Sequence, residues 1–211
     1  MDALAAFRDH FAQCPLIAII RGVRPEEVEE IGGALYRAGI RVIEVPLNSP
    51  DPLESIGRLA RRLGDRATIG AGTVLTAEDV LAVAEVGGRI IVSPGFSEAV
   101  VTATVAAGLV AAPGYFTPSE AFAALRAGAH ALKLFPAEAA PPEVVRAQRA
   151  VLPRSVPLVV VGGVTPAKMA GYLEAGADGF GLGGAIYKPG QDPAQVEAQG
   201  RAFVGALPAR N

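Results

Sequence analysis

Short apolar runs recur along the chain, with amphipathic segments between them. They are LIAII at 16–20, RVIEVPL at 41–47, ATIGAGTV at 67–74, RIIVSP at 89–94, LVAAPG at 109–114, HALKLFP at 130–136, PLVVVGG at 157–163 and DGFGLGG at 178–184. These eight runs start roughly 20 to 27 residues apart, the span of one strand-plus-helix unit. Continuous apolar strands, rather than alternating ones, fit a parallel sheet buried on both faces. The intervening segments predict helices. Residues 25–38 open with Pro25, Glu26 and Glu27 as a first turn and place Val28, Ile31 and Leu35 on one face, with Gly39 as a stop. Thr76 and Asp79 predict a capping box at the head of a segment that runs through Val86.

Eight regular units without a reversal predict an α/β fold, a single (β/α)8 TIM barrel forming one domain over residues 1–211; an open doubly wound sheet is the alternative. Residues 2–13 carry Leu4, Phe7 and Phe11 at helical spacing and predict an extra N-terminal helix over the barrel floor. Residues 99–119 hold no charge, but Gly108, Pro113, Gly114 and Pro118 interrupt them. That pattern predicts helix, turn and buried strand rather than a membrane span.

Composition narrows the function. The chain has 211 residues, of which 51% are hydrophobic, and a formal net charge of −2. No basic stripe or polybasic patch points to nucleic acid or membrane. Cys14 is the only cysteine, and His10 and His130 lie far apart. Chemistry with neither metal nor cofactor is expected, in a reducing compartment, the cytoplasm. Asp2, Arg8, Asp9 and His10 spoil a signal-peptide core.

In a barrel of this kind the site lies at the C-terminal ends of the strands. There the sequence places Arg21, Glu44, Thr73 and Lys133, with Asn48 and Ser49 in the second loop. Side chains alternate along a strand, so if Leu132 and Leu134 face the helices, Lys133 faces the interior. Glu44 follows the same rule between Ile43 and Val45. An amine and a carboxylate then share one low-dielectric space. An unperturbed lysine, with a pKa near ~10.4, is almost wholly charged at pH 7, whereas an amine nucleophile must be neutral. Desolvation or a nearby cation such as Arg21 lowers that pKa and permits Schiff-base chemistry, with Glu44 as general base. A buried Lys133–Glu44 ion pair is the plain structural reading, and pattern alone does not separate the two.

The pairs Gly162–Gly163 and Gly183–Gly184 end the last two runs, where such barrels often bind phosphate through backbone N–H groups; ordinary turn chemistry is the alternative. Arg21 suits a carboxylate clamp or a solvated loop, and Thr73 offers one hydroxyl.

IAIIRG, IEVPLNSP, IGAGTVL, LKLFPA, VGGV and GFGLGG together resemble the Schiff-base aldolases of 2-keto-3-deoxy-6-phospho sugar acids, in order and through nearly the whole chain. IEVPLNSP and VGGVTP are similar to the 2-dehydro-3-deoxy-6-phosphogalactonate branch, with Pro46 and Asn48 where the phosphogluconate branch reads more like EVTLRT. The resemblance implies a metal-independent lyase yielding pyruvate and glyceraldehyde 3-phosphate, assembled as a homotrimer. It implies Lys133 as the imine-forming residue and Glu44 as acid/base. Arg21 and Thr73 would hold the pyruvate carboxylate, and Gly162, Gly163, Gly183 and Gly184 the phosphate. Relatives often carry serine where Gly184 stands, and losing that hydroxyl would weaken phosphate binding by about 0.5–1.5 kcal/mol. The phosphogluconate epimer, or both epimers, is the alternative substrate. An isomerase or epimerase, or a phosphosugar-binding protein, is the alternative class.

Overall fold

The structure is a computed structural model and describes residues 2–208. Its strands are β1 (Leu16–Ile19), β2 (Val42–Pro46), β3 (Thr68–Gly72), β4 (Ile90–Val92), β5 (Val110–Ala112), β6 (Gly114–Tyr115), β7 (Leu132–Leu134), β8 (Leu158–Val161) and β9 (Gly179–Leu182). All paired neighbours are parallel, in the order β5-β4-β3-β2-β1-β9-β8-β7-β6. The two ends of that order, β5 and β6, are consecutive in the chain and separated by Pro113 alone. The sheet therefore curls into a nearly closed barrel, as the eightfold repeat predicts.

One difference has a simple cause. The fifth apolar run forms two strands, not one, and raises the count to nine. Pro113 has no N–H to give to a ladder, so pairing breaks there. Its carbonyl still accepts from Lys133 N at 3.0 Å, and Ala111 O accepts from His130 N at 2.9 Å. β5 thus pairs with β4 and β6 with β7, and the seam closes around the proline.

Helices α2 (Val28–Ala38), α3 (Pro52–Leu63), α4 (Ala77–Glu85), α5 (Glu98–Ala106), α6 (Pro118–Arg126), α7 (Pro142–Arg149), α8 (Pro166–Glu174) and α9 (Pro193–Gly205) surround the barrel, and α1 (Ala3–Gln13) precedes it. The segment predicted from Pro25 begins as a turn, with the helix proper starting at Val28; Gly39 caps it in the left-handed region at φ 110°. The Thr76–Asp79 capping box is formed as predicted. The uncharged stretch divides into α5, β5 and β6, and among the described residues no helix is long and apolar enough to cross a membrane.

Two apolar layers follow strand parity. Ile43, Val45, Ile69, Ala71, Leu132, Leu134, Leu158 and Val160 pack outward against the helices. Ile17, Ile19, Val42, Ile90, Val92, Val110, Ala131, Val159 and Val161 fill the interior together with Phe7 and Phe11 of α1. α1 closes the floor, and its rings stack at 5.4 Å between centroids. His10 Nδ1 lies 2.9 Å from the Thr68 hydroxyl there, so the buried imidazole of the floor has a partner.

Candidate active site

The open end of the barrel holds a cavity of about 540 Å³ lined by Arg21, Glu44, Thr73 and Lys133, with both glycine pairs on its wall. Strand parity brings these residues together. β2 alternates Ile43 and Val45 outward with Glu44 inward, and β7 sends Lys133 inward between two outward leucines. Beneath them lies an apolar layer of Ile17, Ile19, Val92, Ala112, Val159 and Val161.

Glu44 and Lys133 are buried, at 2% and 8% exposure. No hydrogen bond or close ion pair joins them, and their charges attract across the cavity without direct contact. Oε2 of Glu44 has no hydrogen-bond partner at all. Burial raises the Glu44 carboxyl to about 7, against the opposing pull of the Lys133 and Arg21 charges. Burial also lowers the Lys133 ammonium, with Glu44 opposing and Arg21 assisting. The Lys133 Nζ stands 5.0 Å from the Phe135 ring centroid. Each group is thus held away from its ordinary ionisation by desolvation, which outweighs the attraction of the opposite charge.

Arg21 sits just after β1, where its guanidinium donates to Asn48 Oδ1 and, at 3.3 Å, to the Thr73 hydroxyl. Ser49 ties the first two loops together by accepting from Gly22 N at 2.9 Å. Thr73 has φ 56°, a left-handed conformation uncommon for a residue other than glycine. Asn48 reaches the cavity only through Arg21.

The glycine pairs differ. Gly183 and Gly184 face open space, and Ile186 N and Tyr187 N both donate to Gly183 O in a single helical turn. A serine at 184 would find room. Gly162 and Gly163 are left-handed, at φ 118° and 58°, and the Glu138 carboxylate lies over them: a Cβ on Gly163 would stand 2.7 Å from Glu138 Cγ. A negative side chain therefore covers one of the two turns expected to receive phosphate.

Sequence reasoning missed Glu138 and Lys188, which line the cavity, and Tyr187, whose hydroxyl donates to Glu27 Oε1 at 2.8 Å. The signal for Lys188 was available, as a cation shortly after the second glycine pair. Among the described residues no group of three or more His, Cys, Asp or Glu side chains is placed to hold an ion.

A desolvated lysine and a desolvated carboxyl in one cavity at the mouth of a parallel barrel fit the class of imine-forming carbon–carbon lyases. Residues 8–196 match the family model described as KDPG and KHG aldolase, and the chain belongs to that family. It is 46% identical over 195 residues to a probable 2-dehydro-3-deoxy-6-phosphogalactonate aldolase of Rhizobium meliloti, covering 92% of each chain. It is 45% identical to the 2-dehydro-3-deoxy-6-phosphogalactonate aldolase of Escherichia coli, over 91% of this chain and 94% of that one. Among solved structures, a native KDPGal structure superposes with a TM-score of 0.90 at 44% identity, covering 92% of this chain and 94% of that one. A KDPG aldolase of Legionella pneumophila, solved with pyruvate captured as a covalent carbinolamine, gives a TM-score of 0.84 at 27% identity over 97% and 98% of the two chains. A designed cage built by fusing symmetric oligomeric domains matches at a TM-score of 0.89 and 44% identity, over 90% of this chain and 71% of that one.

Proposed function

We propose that the protein is a metal-independent class I aldolase that cleaves 2-dehydro-3-deoxy-6-phosphogalactonate to pyruvate and D-glyceraldehyde 3-phosphate. The observation that carries this reading is that the Lys133 amine and the Glu44 carboxyl share one buried cavity, both desolvated and with no hydrogen bond between them. Neutral Lys133 attacks the C2 ketone, and loss of water with uptake of one proton from solvent leaves a protonated imine. Glu44 takes the proton of the C4 hydroxyl as the C3–C4 bond breaks, and the bonding pair moves into the imine as an enamine. The aldehyde departs. Glu44 returns its proton to C3, and water then releases pyruvate and restores the amine. One residue must accept and then donate, and a carboxyl held at about 7 is near half-ionised at neutral pH, the condition that serves both steps.

Arg21, pinned by Asn48 and Thr73, holds the carboxylate at C1. The turn at Gly183–Gly184, with Lys188 beside it, takes the phosphate, and Gly162–Gly163 completes the wall once Glu138 swings aside. The assignment to the galactonate epimer rests on the two relatives that share 45–46% of their residues with this chain. The cage built by fusing symmetric oligomeric domains supports an oligomer, taken here as a homotrimer, and exposed Phe116 and Phe122 are apolar surface for such an assembly to bury. Cytoplasmic residence completes the reading.

The test is pyruvate with borohydride, followed by peptide mapping. A reduced adduct on Lys133 is expected, and its absence during normal turnover would overturn the mechanism. Comparing kcat/KM for the galactonate and gluconate acids tests the epimer; equal values defeat the choice made here.

A further inference from the structure

Glu44 needs a place to stand, and its own strand does not supply one. The interior face of β3 presents Thr68, Gly70 and Gly72, since Ile69 and Ala71 pack outward. Pro46 is paired with Gly72 and Glu44 with Gly70, so Gly72 lies one interior step above Glu44 on the neighbouring strand, toward the open end. A Cβ built on Gly72 would overlap Oε1, Oε2 and Cδ of the Glu44 carboxylate. The carboxylate occupies the space in which a side chain at 72 would begin. The clash at Gly70 is of another kind, with the backbone carbonyl of Ile90 and not with Glu44. Gly72 does not have a left-handed φ, so backbone conformation does not demand a glycine there.

We propose that Gly72 is a positioning residue, whose missing side chain forms the seat that holds the Glu44 carboxylate over the cavity floor, facing the substrate carbons next to Lys133. The inference rests on the acid/base reading of Glu44. A methyl group at 72 would force the carboxylate off its seat while leaving the amine in place. Chemistry that needs the proton relay would suffer, and imine formation would not.

The experiment compares Gly72→Ala, Gly70→Ala, Glu44→Gln, Glu44→Asp and the double variant Gly72→Ala/Glu44→Asp in the full chain. Each is assayed for kcat, KM, the pH dependence of kcat/KM, borohydride trapping of pyruvate and thermal unfolding. Gly72→Ala should lose on the order of 10²-fold in kcat, as when a general base is misplaced, with trapping retained and the rising limb of the pH profile displaced. The shorter aspartate should fit beneath the new methyl, so the double variant should exceed Gly72→Ala in kcat. Gly70→Ala should disturb unfolding without moving the pH limb. Losses that multiply in the double variant, or a pH limb unmoved in a folded Gly72→Ala, would overturn the proposal. If Glu44→Gln instead retains full turnover, the reading of Glu44 fails first; if it loses turnover while Gly72→Ala does not, only the seat fails.

Discussion

Two cations lie buried in this barrel, and they are treated in opposite ways. Arg149, 4% exposed at the end of α7, spends its guanidinium on Gly176 O at 2.9 Å, Pro153 O and Val156 O at 3.1 Å each, and the Asp178 carboxylate. Asp178 also accepts from Leu158 N at 2.7 Å, so the cluster straps the loops that precede β8 and β9. Lys133, 8% exposed, has no hydrogen bond and keeps only the Phe135 ring and the charge of Glu44 as neighbours. A buried group with all its hydrogen bonds made resists change, and one without them remains available to react. The N-terminal end of the barrel follows the first rule, the C-terminal end the second.

Removing each cation should therefore break different things. Lys133→Ala should abolish turnover, a loss on the order of 10⁴- to 10⁶-fold as for other covalent nucleophiles, and should abolish the borohydride adduct. Its thermal stability should be unchanged or higher, because a desolvated amine without a hydrogen-bond partner is removed. Steady-state kinetics and thermal unfolding on the same preparation check both halves. Glu44→Gln should follow with a fall of roughly 10²- to 10⁴-fold in kcat while still forming some adduct.

That contrast was half legible in the sequence. The inward orientation of Glu44 and Lys133 follows from alternation within VIEVP and LKL, because a period of two fixes the face once the flanking leucines and isoleucines are assigned outward. The barrel follows from the spacing of its runs. What could not be read depends on register between distant segments. No pattern within 109–114 shows that Pro113 carries the seam. Nothing in GAG shows that Gly72 lies beside Glu44, and nothing in FPAE shows Glu138 folded over glycines that follow it by more than twenty residues. Arg149 draws no reading from the sequence alone, and only the tertiary placement of Gly176 and Asp178 makes it a strap.

Arg149→Ala should act on stability alone. The Asp178 side chain is 41% exposed, so water can reach the carboxylate left behind, but the carbonyls of Gly176, Pro153 and Val156 lose their donor. The cost should be about 2–4 kcal/mol, which for a chain of this size lowers Tm by roughly 4–16 °C. Activity per folded molecule at low temperature should be unchanged. A Tm within a degree or two of the parent would show that the loops hold without the strap.

A pH titration sharpens the same comparison. The Glu44 carboxyl is raised in the folded chain to about 7 from an ordinary 4.5. Between those values the unfolded chain has released its proton and the folded chain retains it. Stability should therefore fall as pH rises from about 4.5 to 7, by on the order of 3 kcal/mol, and then level off with respect to this group. Glu44→Gln should remove that component. Over the same interval kcat/KM should climb as the base form appears, so the wild-type protein should lose stability where it gains activity. Denaturant unfolding across the range checks the first trend and initial rates the second; parallel rather than opposed trends would contradict a desolvated Glu44.

The smallest effect expected lies at the rim. Glu138 is exposed, and its carboxylate covers Gly162–Gly163, a wall that a phosphate must approach. Glu138→Gln keeps the shape and removes the charge, so KM for the phosphorylated acid should fall a few-fold at low ionic strength. The gain should fade as salt screens the rim. kcat should not move, because Glu138 touches none of the reacting carbons in the proposed pose. Gly184→Ser should lower KM by a similar factor through one added hydroxyl. The two gains should multiply if the glycine turns bind the phosphate independently. A combined variant no better than either single change would mean that Glu138 and position 184 act on the same phosphate contact.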